Sequence, residues 1–156
     1  MKICDIHTHI LPGVDDGAQT MEQALQMLRN AAASDVEYLA LTPHCNRSDR
    51  NAHADLQSVF RRLCRESVDI PVKLVLGAEV HVTEDLPKLL EKKTFPTIHN
   101  SRYLLTEFPF HWKKENFIPM LEKILVLGYV PVVAHPERYQ AVTEAPGQVY
   151  DWLDRG

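Results

Sequence analysis

The sequence predicts an α/β fold, a parallel β-sheet with helices packed outside it. Short apolar runs of strand length alternate with helix-period segments five times along the 156 residues, the pattern of repeated strand–loop–helix units. Each of the five runs also ends in a His or Glu. In a parallel sheet those side chains collect on the rim formed by the carboxyl ends of the strands, where active sites are assembled. A hydrophobic content of 45% suits one core, and no repeat, low-complexity tract or linker divides the chain.

The first run, Lys2 to Ile6, delivers Asp5-Ile6-His7-Thr8-His9. On an extended strand His7 and His9 point to the same face, a common start to a transition-metal site. The loop from His9 to Gln19 carries Gly13, Asp15, Asp16 and Gly17, residues that suit turns in their own right. Thr20 is placed to cap a helix with Gln23 in the capping-box position. Met21, Ala24, Leu25, Leu28 and Ala32 carry its apolar stripe to about Ser34.

Tyr38 to Leu41 is the second strand. Pro43 stops its pairing, which puts His44 just past the strand end. Cys45 to Ala54 reads as a polar loop, and Leu56, Val59, Phe60, Leu63 and Cys64 mark the next helix. Val72 to Leu76 is the third strand, buried on both faces apart from Lys73, and it leads into Glu79. A carboxylate at that point is either exposed at the strand end or held by a cation, because an unpaired buried carboxylate is very costly. Leu86 to Lys93 is a short helix with basic residues near its end.

Tyr103 to Leu105 makes the fourth strand and ends at Thr106-Glu107. Phe117, Met120, Leu121, Ile124 and Leu125 form a helix that Gly128 stops. The fifth strand, Val130 to Ala134, runs straight into His135-Pro136-Glu137-Arg138-Tyr139. Val149, Trp152 and Leu153 give a last amphipathic piece.

Composition excludes several functions. The net charge of −4 with no basic cluster argues against nucleic acid or an anionic membrane as partner. No apolar run approaches the roughly 20 residues of a spanning helix, and no signal-peptide pattern opens the chain. Cys4, Cys45 and Cys64 lack CxxC spacing and read as reduced thiols of the cytoplasm.

Imidazole and carboxylate donors together suit zinc, manganese or iron better than calcium or magnesium. Several of each suggest more than one ion, and two ions about 4 Å apart activate a water and clamp the oxygens of a displaced phosphate. Phosphoryl transfer needs mainly positioning and positive charge. Arg138 can bind phosphate as a fork, or pair with Glu137 at the surface. No Cys-x5-Arg loop supports a thiol nucleophile. His81 reads as a rim or solvent residue; His53, His99 and His111 read as surface residues, with His111 and Trp112 near a substrate mouth. Phe108, Phe110 and Tyr139 suit either a tyrosine ring or the core.

These residues resemble a known family. Asp5-Ile6-His7-Thr8-His9-Ile10-Leu11-Pro12-Gly13-Val14-Asp15-Asp16-Gly17 resembles the opening signature of the PHP (polymerase and histidinol phosphatase) superfamily. Thr42-Pro43-His44, Gly77-Ala78-Glu79-Val80, Leu105-Thr106-Glu107-Phe108-Pro109 and Ala134-His135-Pro136-Glu137-Arg138-Tyr139 are similar, in order and spacing, to motifs of its bacterial protein-tyrosine phosphatases encoded with capsule and exopolysaccharide genes.

The resemblance implies a single PHP domain over residues 1–156, a distorted (β/α)7 barrel here cut to about five β/α units. It implies two or three metal ions, usually Mn2+, with Fe or Zn as alternatives. His7, His9 and a bridging Glu79 would hold the first; Glu79, Glu107 and His135 the second; Asp16 and His44 the third, with Asp15 the weaker candidate. Glu107, His135 and Arg138 would be catalytic, and Arg138 would also grip the phosphate. The implied substrate is the phosphotyrosine tail of a bacterial tyrosine kinase that regulates capsular or exopolysaccharide synthesis. A small phosphate ester and a non-catalytic binding module are the alternatives. The family's late Asp-x-His motif and last two strands are absent here. The expectation is therefore a fragment with weakened first and third sites, little turnover, and open sheet edges prone to homo-oligomer pairing.

Overall fold

The computed structural model describes residues 1–45, 52–92 and 95–156. Strands β1 (Ile3–Thr8), β2 (Val36–Leu41), β3 (His44–Cys45), β4 (Lys73–Leu76), β5 (Glu79–His81), β6 (Tyr103–Glu107) and β7 (Val130–Val133) all pair in parallel. They are joined by helices α1 (Met21–Ala33), α2 (Ala52–Glu66), α3 (Leu86–Leu90) and α4 (Lys114–Val126), and α5 (Gln140–Glu144) and α6 (Gln148–Leu153) follow β7. The helical connections are what parallel pairing requires.

The expected continuous five-stranded sheet is corrected to two sheets, ordered β1-β2-β4 and β3-β5-β6-β7. Two neighbouring strands each break once, at Thr42-Pro43 and at Gly77-Ala78. Pro43 has no N–H to donate to a ladder. A Cβ on Gly77 would sit 3.2 Å from Thr42 Cγ2 and 3.3 Å from the Ile98 Cα, so the close approach favours glycine. The breaks stay hydrogen-bonded: Gly77 N–H donates to Leu41 O at 2.9 Å and Glu79 N–H to Pro43 O at 3.0 Å. His44 therefore does not lie beyond a strand, as Pro43 suggested, but opens β3 opposite Glu79.

Each sheet has its own apolar cluster. Leu11, Leu28, Leu39, Leu41 and Leu63 are fully buried under α1 and α2. On the other side Val80, Leu104, Phe108, Phe117, Ile124 and Tyr139 are buried with Trp152. Phe117 stacks on Trp152 with ring centroids 4.7 Å apart, which docks α6 onto α4. Burying a ring of that size stabilises by about 2–3 kcal/mol. The capping box at Thr20 and Gln23 forms as expected, and Gly128 ends α4 with φ +87°, a left-handed conformation that glycine adopts freely.

Several expectations shift. The third strand is only half-buried, because β4 is itself an edge strand of its three-stranded sheet. The third helix ends at Leu90, and α5 was not expected. His53 and most of the expected polar loop, 46–51, lie outside the described side chains, as does Lys93. Among the described residues no disulfide joins Cys4, Cys45 and Cys64, and no helix is long and apolar enough to cross a membrane.

Candidate metal centre

Glu79 lies at the centre of the rim with a side chain only 1% exposed. Parallel register brings its neighbours to it: His44 is opposite Glu79, and Glu107 is opposite His81 two residues along. β1 supplies His7 from its end and His9 just beyond it. His135 follows β7 with φ +30°, a conformation uncommon outside glycine, which turns its ring into the cluster. There Nε2 is 2.9 Å from Glu79 Oε1 and 3.4 Å from Glu107 Oε1.

Glu79 Oε2 is crowded by His7 Nε2 at 3.2 Å, His9 Nε2 at 3.3 Å and His44 Nδ1 at 3.1 Å. Despite those distances Oε2 is a buried oxygen with no aligned hydrogen-bond donor, and His135 Nδ1 is a buried nitrogen in the same situation. Orphaned buried polar atoms are rare and call for an explanation such as an ion. Imidazole nitrogens and carboxylate oxygens converging on one place are what a divalent cation needs. Three groups bring their ligand atoms within 4.8 Å of one another: His7, His9 and Glu79; His9, Asp16 and His44; and His44, Glu79 and Glu107. The residues fit a metal ion.

Electrostatics point the same way. Burial opposes ionisation of Glu79, but the imidazoles of His7 and His9, and the field of His44, outweigh it and hold the carboxyl well below the usual carboxylate range. The Asp15 carboxylate on Nδ1, helped by Glu79, raises His9 to about 10 against the partial burial of its ring. In both cases the charged partner dominates desolvation.

Sequence reasoning missed how Asp15 works. Its carboxylate accepts from His9 Nδ1 at 2.7 Å, from Gly17 N–H at 3.0 Å and from His44 N–H at 3.0 Å. Those three bonds use its acceptors and aim the Nε2 atom of His9 at Glu79, as partners behind metal-bound histidines do. Asp16 is instead 81% exposed and lies 3.6 Å from His44 Nε2, free to serve as a ligand. The signal was present in the sequence: Asp15 stands two residues before a glycine, the spacing of an Asx-turn. His81 Nδ1 lies 3.4 Å from Glu107 Oε2 at the outer edge.

Arg138 is exposed on the turn after His135, and its N–H donates to His135 O at 3.0 Å. Among the described residues it makes no ion pair, including the alternative one with Glu137. Phe108 and Tyr139 are core residues, whereas Phe110 is 45% exposed with its ring 5.8 Å from that of His135. Exposed His99 and His111 stand outside the cluster.

Residues 3–156 match the family described as capsular polysaccharide synthesis, CpsB/CapC. This chain belongs to the CpsB/CapC family. It is 30% identical over 155 residues to the tyrosine-protein phosphatase YwqE of Bacillus subtilis (strain 168), covering 97% of this chain and 61% of that protein. It is 35% identical over 158 residues to the tyrosine-protein phosphatase CpsB of Streptococcus pneumoniae, covering 97% and 64%. The fold is similar to the solved structures of YwqE and CpsB from those species, described as unique metal-dependent tyrosine phosphatases. The TM-score is 0.84 at 30% identity, over 99% of this chain and 64% of that one. This CpsB/CapC chain thus spans about three fifths of the length of the relatives it matches.

Proposed function

We propose that this chain carries the metal centre and phosphate grip of a protein-tyrosine phosphatase. The observation that carries the reading is Glu79, buried at the meeting point of four histidines with an oxygen that none of them satisfies. In this reading His7, His9 and Glu79 hold one ion, Glu79, Glu107 and His135 a second, and Asp16 and His44 a third, which His9 also approaches. Mn2+ is the ion assigned, and Fe or Zn would accept the same donors. Bound ions would activate a water and neutralise phosphate charge.

The chain's own residues do the rest. Asp15 fixes the His9 ring, Glu79 links the two sheets through the ligand set, and Arg138 presents a guanidinium fork to the phosphate. Glu107 and His135 complete the catalytic set beside it. The exposure of Asp16 and Phe110 supports a phosphotyrosine carried on a protein rather than a small ester in a closed pocket. The substrate proposed is the phosphotyrosine tail of a bacterial tyrosine kinase controlling capsular or exopolysaccharide synthesis, in the cytoplasm. The two sheets are read as five β/α units of a distorted (β/α)7 PHP barrel, forming a single domain.

Metal content of the purified chain, measured by mass spectrometry alongside p-nitrophenyl phosphate turnover, tests the reading. At least two Mn, Fe or Zn ions per chain and turnover abolished by chelation are expected. A folded chain that takes up no metal when Mn2+ is supplied would sink it.

A further inference from the structure

Strand β5 turns two side chains towards the metal centre, Glu79 and His81. Successive residues of a strand point to opposite faces, so His81 projects from the same face as Glu79, while Val80 between them is buried in the core. Parallel register sets His81 opposite Glu107 on β6, and side chains opposed in register lie on one face of a sheet. Exposure rises outward along this row. The Glu79 side chain is 1% exposed, that of Glu107 14% and that of His81 42%, so His81 and Glu107 meet on the solvent side of Glu79.

The two oxygens of Glu107 are divided between two imidazoles. Oε1 lies 3.4 Å from His135 Nε2, the same nitrogen that approaches Glu79 at 2.9 Å. Oε2 lies 3.4 Å from His81 Nδ1. An ionised carboxylate only accepts, so the proton of that contact sits on Nδ1, in the neutral ring and the charged ring alike. Glu107 has three rotatable side-chain bonds, and freezing them opposes its use as a ligand. A donor that holds Oε2 beforehand removes part of that cost and leaves Oε1 facing His135 and Glu79. Across the cluster Asp15 does the equivalent for His9, through Nδ1 at 2.7 Å.

We propose that His81 is a positioning residue of the metal centre: its Nδ1–H holds Glu107 Oε2 so that Oε1 is presented to the ion shared with Glu79 and His135. The proposal rests on the reading of those three residues as ligands of one ion, and it gives His81 no contact with metal or substrate. Losing a partner behind a metal ligand lowers affinity by about 10- to 100-fold. Contacts of exposed groups are weak and His81 is 42% exposed, so the lower end, about tenfold, is expected here.

Isothermal titration of the metal-free full chain with Mn2+ tests this in H81A, H81N and H81Q. Asparagine can place an amide N–H where Nδ1 stands. Glutamine reaches instead to the position of Nε2, and alanine has no donor. One Mn2+ should bind about tenfold more weakly in H81A and H81Q and recover its affinity in H81N, while thermal unfolding of the metal-free chain shows each variant folded. Wild-type affinity in H81A overturns the proposal, because the contact then contributes nothing. Equal weakening in all three variants also overturns it, since a ring needed only for packing does not distinguish asparagine from glutamine. A wild type that takes up no Mn2+ refutes the ligand set itself, and His81 then has no ligand to position.

Discussion

Gly17→Ala tests the metal centre without replacing a ligand. A Cβ at Gly17 would meet His9 O at 1.9 Å and His9 Cβ at 2.5 Å. Both are backbone or near-backbone atoms that cannot rotate away. Reaching the 3.4 Å of ordinary contact requires a displacement of about 1.5 Å from that 1.9 Å. The hydrogen bond from Ala18 N–H to His9 O at 3.0 Å and that from Gly17 N–H to Asp15 Oδ1 at 3.0 Å oppose the shift. Functional constellations tolerate about 0.5 Å, so His9 leaves its working position. Overpacking of this kind costs about 1–3 kcal/mol, and a misplaced ligand lowers metal affinity by about 10- to 100-fold. Isothermal titration with Mn2+, paired with thermal unfolding of the metal-free protein, measures both effects. Gly147→Ala is the control, because a Cβ there meets nothing within 4 Å. If Gly17→Ala bound Mn2+ like the wild type, the claim that backbone contact holds His9 would be wrong.

Three further outcomes are expected. Asp15→Asn removes the carboxylate that raises His9 to about 10, so the His9 imidazole of the metal-free protein should titrate lower by NMR, and Mn2+ affinity should drop about tenfold. The sign follows from linkage: a histidine raised above its ordinary 6.5 adds stability that is complete below that value and is lost as pH rises towards about 10; this contribution should be smaller in the variant, where Glu79 alone still raises His9. Tyr139→Phe strips a buried phenol that donates to Ala134 O at 2.8 Å and accepts from Phe108 N–H at 3.1 Å; orphaning those groups should cost about 1–3 kcal/mol in urea unfolding, with metal content unchanged. Arg138→Lys keeps the charge but loses the fork, so kcat/KM for p-nitrophenyl phosphate should fall about tenfold, and an unchanged value would remove Arg138 from the phosphate grip.

What the amino-acid sequence determined by itself was the parallel α/β class, the Thr20 cap, the Gly128 stop and six candidate donors, His7, His9, His44, Glu79, Glu107 and His135, with Asp16 added by family resemblance. All but Asp16 rest on local signals: hydrophobic period, capping chemistry, and donors placed at or just past the ends of apolar runs. Tertiary structure alone decided the rest. The break of one sheet into two depends on Pro43 and Gly77 lying side by side in neighbouring strands, a coincidence that no single stretch reveals. The division of labour between Asp15 and Asp16 depends on which carboxylate the fold turns inward to His9 Nδ1 and His44 N–H. The core burial of Tyr139 and the exposure of Phe110 were equally illegible, since both are aromatic residues next to the site. What separates them is packing against Phe117 and Phe108, and packing is a property of residues far apart in the chain and close in space.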